Sequence, residues 1–213
     1  MILVGYPCGP VSANMYFVGR DGGKTVAVID PSDADLALAI LRDRSWTLSD
    51  ILVTHRHFDH LLGVAGLKKA TGAKIYISET DADGLRSARA SLAVMAGEKQ
   101  EPVEPDVLLR DGDTFEAAGL IFRVLETPGH TVGGVTFVCD GERCAFSGDT
   151  LFAQSYGRYD LPTGDFNALS LSIRNVLFAL PDDYRVYPGH EEPTTIAEEK
   201  RSNPINFESV WFD

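Results

Sequence analysis

The first part of the chain alternates short apolar runs with polar, turn-forming segments. Residues 14–18 and 25–29 are apolar and partly β-branched, which favours two strands, and the glycine-rich segment 19–23 between them is typical of a hairpin turn. In residues 32–44, a capping Ser or Asp followed by apolar residues at helical spacing predicts a helix. A buried strand is then predicted at 50–54.

The rest of the chain continues this alternation. Further strands are predicted at 73–78, 107–109, 114–115, 121–125, 134–138, 143–146 and 185–187, and further helices at 80–95, 167–180 and 196–201. The polar segment 97–105, which contains two prolines, is predicted to be a mobile loop. Two β-rich stretches, each followed by helices, indicate an α+β fold in which two sheets pack face to face with helices outside.

A histidine-rich segment follows the strand predicted at 50–54. In extended chain His55 and His57 project to the same side, because side chains two positions apart share a face. Asp59 and His60 then turn with the helix that begins there, so they face a second point nearby. Three imidazoles and one carboxylate within residues 55–60 predict a metal site, since these donors suit zinc and similar ions.

The remaining two of the five histidines have matching contexts. His130 and His190 each follow a Pro-Gly pair directly. A lone histidine is more often a hydrogen-bonded core or surface group than a ligand, but here no histidine is left for that role. We therefore expect all five imidazoles to act together.

The order and context of seven residues resemble the metallo-β-lactamase superfamily. These residues are His55, His57, Asp59, His60, His130, Asp149 (within Phe146–Thr150) and His190. The resemblance implies an α+β four-layer αββα sandwich with two divalent metal ions, zinc being favoured and iron or manganese being alternatives. It implies one ion on His55, His57 and His130, a second ion on Asp59, His60 and His190, and Asp149 as the bridge. Such a pair can share a hydroxide that hydrolyses an ester-like bond.

Other segments resemble one particular group of enzymes within this superfamily. Residues 127–131 and 147–152, with Gly157-Arg158 after them, resemble glyoxalase II (hydroxyacylglutathione hydrolase), and residues 188–204 resemble its small single-domain bacterial forms. This likeness implies a metallo-hydrolase that cleaves the thioester of a small acyl-thiol such as S-lactoylglutathione. The expected catalytic residues are Asp59 and Asp149, and the expected substrate-binding residues are Arg158 and Tyr159.

The sequence departs from the long glyoxalase II enzymes in two places. Those enzymes carry a C-terminal helical domain that contacts glutathione, whereas this sequence ends soon after His190. The thiol carrier therefore stays open among glutathione, another small thiol and CoA. Asp160 stands where the long enzymes favour a tyrosine, and Arg158 has a structural alternative as a surface arginine paired with Asp160 or Asp165.

Two further activities stay open. Persulfide dioxygenases resemble the same ligand set but use one iron on two histidines and one aspartate, and Gly157-Arg158-x-Asp160 fits them as well. A lactonase is an alternative within the hydrolases.

Length and composition limit the remaining choices. With 213 residues, the chain is predicted to form one domain over residues 1–213. Its net charge of −12 argues against nucleic acid as a partner. No apolar run approaches about 20 residues and no basic region precedes the apolar N-terminal stretch, so we expect neither membrane span nor signal peptide, and a cytoplasmic location. The sequence does not predict an oligomeric state. Cys8, Cys139 and Cys144 are expected to be small buried residues, not catalytic thiols.

Overall fold

The computed structural model describes residues 1–208. Its strands are β1 (Ile2–Cys8), β2 (Ala13–Gly19), β3 (Thr25–Ile29), β4 (Thr47–Leu52), β5 (Lys74–Ser78), β6 (Val107–Leu109), β7 (Thr114–Ala117), β8 (Leu120–Glu126), β9 (Val135–Cys139), β10 (Cys144–Gly148), β11 (Leu151–Phe152), β12 (Ser155–Tyr156), β13 (Arg185–Pro188) and β14 (Thr194–Thr195). Its α-helices are α1 (Ala34–Arg44), α2 (Phe58–Leu61), α3 (Val64–Thr71), α4 (Asp83–Arg86), α5 (Ala93–Ala96), α6 (Phe166–Leu171) and α7 (Ile196–Ser202). The domain predicted over residues 1–213 includes residues 209–213, which lie outside the described part.

The first sheet has the strand order β1-β2-β3-β4-β5-β6. Short turns join β1, β2 and β3, which pair antiparallel, whereas β3 to β6 are parallel. Parallel neighbours require a crossover, and helix α1 supplies it between β3 and β4. Asp33 caps this helix, because its side chain accepts a hydrogen bond from the backbone N–H of Leu36.

The second sheet has the order β14-β13-β10-β9-β8-β7. Strands β7 to β10 form an antiparallel meander, and β13 returns parallel to β10 after helix α6. The carboxyl ends of β10 and β13 therefore meet at the same edge of the sheet.

Apolar residues divide between the layers with the period of a strand. In β3, Val28 faces the cluster under α1 and α3, whereas its neighbour Ile29 faces the second sheet. Phe122 and Phe137 of the second sheet fill the same central cluster as Ile29, and a third cluster around Leu169 lies under α6. The predicted αββα order of layers is confirmed. No helix within residues 1–208 combines the length and apolar character needed to cross a membrane.

All three cysteines are free and buried, as predicted. Cys8 belongs to the cluster under α1 and α3, and Cys139 and Cys144 belong to the cluster between the sheets.

The single helix predicted over residues 80–95 is wrong. Helices α4 and α5 are separate, because Ser87 is extended (φ −138°) and Leu92 is left-handed (φ 67°). The Ser87 hydroxyl accepts a hydrogen bond from the Ala90 N–H (3.3 Å), and the Ser91 hydroxyl accepts one from the Ala93 N–H (3.3 Å). Serine side chains thus compete with the helical hydrogen bonds that the apolar spacing favours.

The helix predicted over 167–180 begins one residue early and changes its winding. After Leu171 it widens into a π-turn at Ser172–Val176 and then tightens into a 3₁₀ turn at Leu177–Ala179. In the widened turn the Ser172 hydroxyl donates to the Pro128 carbonyl (2.7 Å), which connects this segment to the loop that carries His130.

Candidate metal centre

The seven predicted ligands all lie just beyond the carboxyl ends of strands. Residues 55–60 follow β4, His130 follows β8, Asp149 follows β10 and His190 follows β13. Both sheets thus deliver side chains to one edge of the sandwich, where loop residues are not constrained by core packing.

Hydrogen bonds between the sheets close this edge. The backbone N–H of Val135 donates to the Thr54 carbonyl (2.9 Å), and that of Asn14 donates to the Gly189 carbonyl (2.7 Å). The Asn14 side-chain amide also donates to the Pro188 carbonyl (3.1 Å). The loop before His190 is therefore held against the first sheet.

His55, His57 and His130 form the first group of donors. His57 Nδ1 lies 2.8 Å from His130 Nε2, and the His55 ring centroid lies 5.0 Å from that of His57 and 4.8 Å from that of His130. All three side chains are buried, and one ring nitrogen from each lies within 4.8 Å of the others. Three convergent imidazole nitrogens can hold a divalent ion.

Asp59, His60 and His190 form the second group. Asp59 Oδ2 lies 3.2 Å from His190 Nε2 and 3.4 Å from His60 Nε2. One ligand atom from each residue lies within 4.8 Å of the others. This group therefore offers two nitrogens and one carboxylate oxygen.

Asp149 lies between the two groups. Its Oδ1 is 3.3 Å from His60 Nε2, and its Oδ2 is 3.5 Å from both His130 Nε2 and His190 Nε2. One carboxylate thus contacts donors of both groups, as a bridging ligand would.

Partners behind the rings orient their nitrogens. His130 Nδ1 lies 2.7 Å from the Arg158 carbonyl, and His60 Nδ1 lies 3.0 Å from Asp30 Oδ2. A carbonyl and a carboxylate only accept hydrogen bonds, so both Nδ1 atoms carry the proton. In the neutral rings Nε2 then has the free lone pair, and in both rings Nε2 faces Asp149.

His55 is oriented by a short relay. The Thr54 hydroxyl donates to Asp30 Oδ2 (2.6 Å), so it can only accept from His55 Nδ1, 3.0 Å away. Nε2 of His55 is therefore also the lone-pair nitrogen.

Two rings of the first group, His55 and His57, are neutral in the metal-free protein. Burial lowers the pKa of His57 to about 3. Burial, together with the neighbouring rings of His60 and His130, lowers the pKa of His55 well below its usual value. These rings do not have to release protons before they bind a cation.

The second group is charged. Burial alone would lower the pKa of His60, but the carboxylates of Asp149 and Asp59 raise it well above its usual value. Burial would likewise lower the pKa of His190, but the hydrogen bond to Asp59 and the charge of Asp149 raise it. The pKa of the Asp59 carboxyl is well below its usual range, because His60 and the hydrogen bond from His190 outweigh its burial.

Four buried atoms of the site have no hydrogen-bond partner within residues 1–208. They are His55 Nε2, His57 Nε2, His60 Nε2 and Asp149 Oδ1. Leaving a buried polar atom unpaired costs roughly 1–3 kcal/mol. Ions held by the two groups would satisfy the His55, His60 and Asp149 atoms, so the donors present fit two divalent metal ions.

Two glycines allow the loops to approach this closely. A Cβ at Gly189 would overlap Asp149 Oδ1 and lie 2.6 Å from His60 Cε1. A Cβ at Gly157 would overlap the Asp149 carbonyl oxygen and lie 3.2 Å from His130 Nδ1. The glycine of Pro188-Gly189-His190 is thus required by crowding around the donors.

Two buried carboxylates that sequence reasoning did not single out hold the ligand loops. Asp30 is described above, and Asp81 is the second. Asp81 accepts hydrogen bonds from Arg56 N (3.0 Å) and Nε (2.7 Å), Thr131 Oγ1 (2.6 Å) and Gly133 N (3.0 Å). It therefore joins the loop of residues 55–60 to the loop of His130.

The donor groups open onto one cleft of about 590 Å³, which we call the metal cleft. Its floor includes His57, Asp59, His130, Asp149 and His190. The other lining residues are mostly apolar: Val11, Phe58, Leu92, Met95, Ala96, Phe152, Ser155, Tyr156, Arg158, Leu161 and Glu191.

The two predicted substrate-binding residues have different positions. Arg158 lines the metal cleft, but its guanidinium makes two hydrogen bonds of 2.8 Å to Asp160, the structural alternative considered from the sequence. Tyr159 is not among the lining residues, and its ring packs against that of Phe166 with centroids 5.0 Å apart.

Comparison with known families supports this reading of the fold. The family model described as the metallo-beta-lactamase superfamily matches residues 8–190, which span all seven donors. The chain belongs to this superfamily. A probable metallo-hydrolase of Streptococcus pyogenes is 36% identical, with 90% of this chain and 84% of the relative covered. The hydroxyacylglutathione hydrolase GloC of Haemophilus influenzae is 35% identical, with 87% and 89% covered.

Three solved structures match this chain at similar sequence identity. The BLEG-1 B3 metallo-beta-lactamase has a TM-score of 0.90 at 32% identity, with 95% of this chain and 98% of that chain covered. ETHE1 of Myxococcus xanthus has a TM-score of 0.82 at 30% identity, with 99% and 87% covered. TTHA1623, crystallised in a di-iron-bound form, has a TM-score of 0.83 at 37% identity, with 96% and 99% covered.

Proposed function

We propose that this chain is a metal-dependent hydrolase of small acyl-thiols, with S-lactoylglutathione as the reference substrate. The observation that carries the proposal is the convergence of seven donors, in two groups that share Asp149, with five of the seven lining one cleft. The likeness to the hydroxyacylglutathione hydrolase GloC supports a thioester as the bond that is cleaved.

The proposed ligand sets are those implied by the sequence. His55, His57 and His130 would hold one ion, Asp59, His60 and His190 the other, and Asp149 both. We expect both ions to be zinc. When bound, two such divalent ions would supply hydroxide near neutral pH and polarise the substrate carbonyl.

The chain's own residues would orient the reactants. Asp59 Oδ2 faces His60 and His190, so we assign to Asp59 Oδ1 the hydrogen bond that orients the attacking water. The apolar walls of the cleft, including Phe152 and Leu161, would hold the acyl group and exclude competing water. Arg158 would contact the substrate from the rim while it remains paired with Asp160, so we expect its contribution to binding to be small.

A persulfide dioxygenase is the second candidate. The likeness to ETHE1 favours it. The hydrolase is preferred because the second donor group is complete, with the ligand atoms of Asp59, His60 and His190 within 4.8 Å of one another. A single iron on two histidines and one aspartate would use three of the seven donors and leave the other four without a role.

One experiment separates the candidates. Zinc-loaded and iron-loaded protein are each given S-D-lactoylglutathione, a lactone panel and glutathione persulfide, with metal-free protein as the control. We expect rapid thioester cleavage that chelation abolishes, and little oxygen uptake. Rapid oxygen uptake with sulfite formation and no thioester cleavage would transfer the assignment to the dioxygenase, and cleavage of lactones alone would make the protein a lactonase.

A further inference from the structure

A second cleft adjoins the metal cleft along helix α5. It encloses about 780 Å³, and the two clefts share Leu92 and Met95, so they meet at this helix. On its far side the second cleft is bounded by Pro162 and Thr163, in the loop that follows Arg158. A molecule whose reacting bond lies over the metal donors can therefore extend past α5 into this space.

The two arginines that line the second cleft differ in whether they have an acidic partner. Arg56 is engaged by Asp81 (2.7 Å) and by Asp83 (3.1 Å), so its charge is already compensated. Arg89 is exposed, and its guanidinium has no hydrogen-bond or ion-pair partner among residues 1–208. Arg89 is thus the cation in the lining of this cleft that has no partner among the described residues.

The same cleft has an apolar wall. Val94 is 65% exposed and Met95 is 71% exposed, although both are large apolar side chains. Neighbouring exposed apolar residues in a cleft are typical of a binding surface. An occupant of this space would combine an apolar or peptide-like body with a negative group at one end.

We infer that the second cleft binds the thiol carrier of the substrate and that Arg89 holds a carboxylate or phosphate on that carrier. The inference rests on the proposed function. The chain has a net charge of −12, so an anionic substrate requires a local cation. Arg89 meets this need better than Arg158, because Asp160 compensates the charge of Arg158.

Kinetics with matched substrates test the role of Arg89 as a specificity residue. Thioesters of glutathione, of CoA and of the uncharged thiol N-acetylcysteamine are compared in Arg89→Gln and in Arg86→Gln. Arg86 is a suitable control, because it lies three residues away, is paired with Glu104 (2.7 Å) and lines neither cleft. The preference for a charged over the neutral thioester should fall about two- to fivefold in Arg89→Gln, mainly through KM, and should not change in Arg86→Gln.

The carriers also distinguish the anion. A fall confined to the glutathione thioester assigns Arg89 to a carboxylate, and a fall confined to the CoA thioester assigns it to a phosphate. Equal KM changes for charged and neutral thioesters, or equal changes in Arg86→Gln, would overturn the inference.

Measuring the binding of carrier analogues tests the role of Arg89 without any hydrolysis step. S-methylglutathione and S-methyl-CoA contain no thioester bond, and their affinities are measured by calorimetry at low and high salt. At least one should bind wild-type protein about two- to fivefold more tightly than Arg89→Gln, with the difference shrinking at high salt. Absence of that difference would overturn the carrier site even if thioesters are hydrolysed, whereas binding without hydrolysis of any thioester would defeat only the proposed function.

Discussion

The two donor groups differ in the protons that they carry. Burial keeps His55 and His57 neutral, with the pKa of His57 at about 3, whereas Asp149 and Asp59 hold His60 protonated. His55 and His57 are ready to accept a cation, whereas His60 must release a proton first. Two candidate ion sites on adjacent loops can therefore load in a fixed order, set by burial in one group and by neighbouring carboxylates in the other.

Removing the residue that the two groups share should have the strongest effect. Asp149→Ala should abolish binding at the second group and weaken it at the first, because its carboxylate contacts donors of both. We expect a loss of at least about a hundredfold in kcat/KM, the upper end of what outer partners alone cost. Elemental analysis and thioester kinetics measure both effects. Two tightly held ions in the variant would show that Asp149 is not a bridge.

Lowering the pH should distinguish the two donor groups in the wild-type protein. The pKa of His60 and that of His190 are raised, so both rings gain protons as the pH falls and the second ion must compete with them. The pKa of His55 and that of His57 are lowered, so these rings stay neutral over the same range. As the pH falls through the raised pKa values of His60 and His190, metal content should therefore fall from two ions towards one before the first ion is lost. Simultaneous loss of both ions would contradict this order.

A substitution behind the ligands, at Asp30, should act mainly on the second group. Asp30 accepts hydrogen bonds from Thr54 N (2.7 Å), Thr54 Oγ1 (2.6 Å) and His60 Nδ1 (3.0 Å). Asp30→Asn removes an acceptor from His60 directly and reaches His55 only through Thr54. Affinity at the second group should fall about ten- to a hundredfold, and affinity at the first group should fall less.

Asp50→Asn is the matched control for that substitution. Asp50 is also a buried aspartate of the first sheet, but it accepts hydrogen bonds from the Ser49 hydroxyl and the Ala118 N–H, and it contacts neither donor group. An equal loss of metal in both variants would mean that Asp30 acts through stability, not through His60.

Sequence patterns predicted the features that depend on residues close together along the chain. Apolar runs predicted most strands, and the spacing of histidine and aspartate in residues 55–60 predicted four of the metal donors. The carboxylates behind the donors gave no such signal, because the partners of Asp30 and Asp81 are 24 to 52 positions away. Their roles depend on tertiary contacts that a local pattern does not contain.

The errors in the helices have the same origin. Apolar spacing favoured one helix over 80–95, but the hydroxyls of Ser87 and Ser91 bond to nearby backbone and the chain turns twice. This break places Leu92 and Met95 between the two clefts, and Arg89 at the second.

Stepwise loading of metal-free protein with zinc tests whether thioester hydrolysis needs two ions. Zinc is added in fractions of an equivalent at neutral pH, and bound metal and S-D-lactoylglutathione hydrolysis are measured on the same samples. We expect the first equivalent to bind with little activity and turnover to rise with the second, because the proposed mechanism needs both groups filled. Full activity at one ion per chain, or no thioester cleavage at two, would contradict a dinuclear thioester hydrolase.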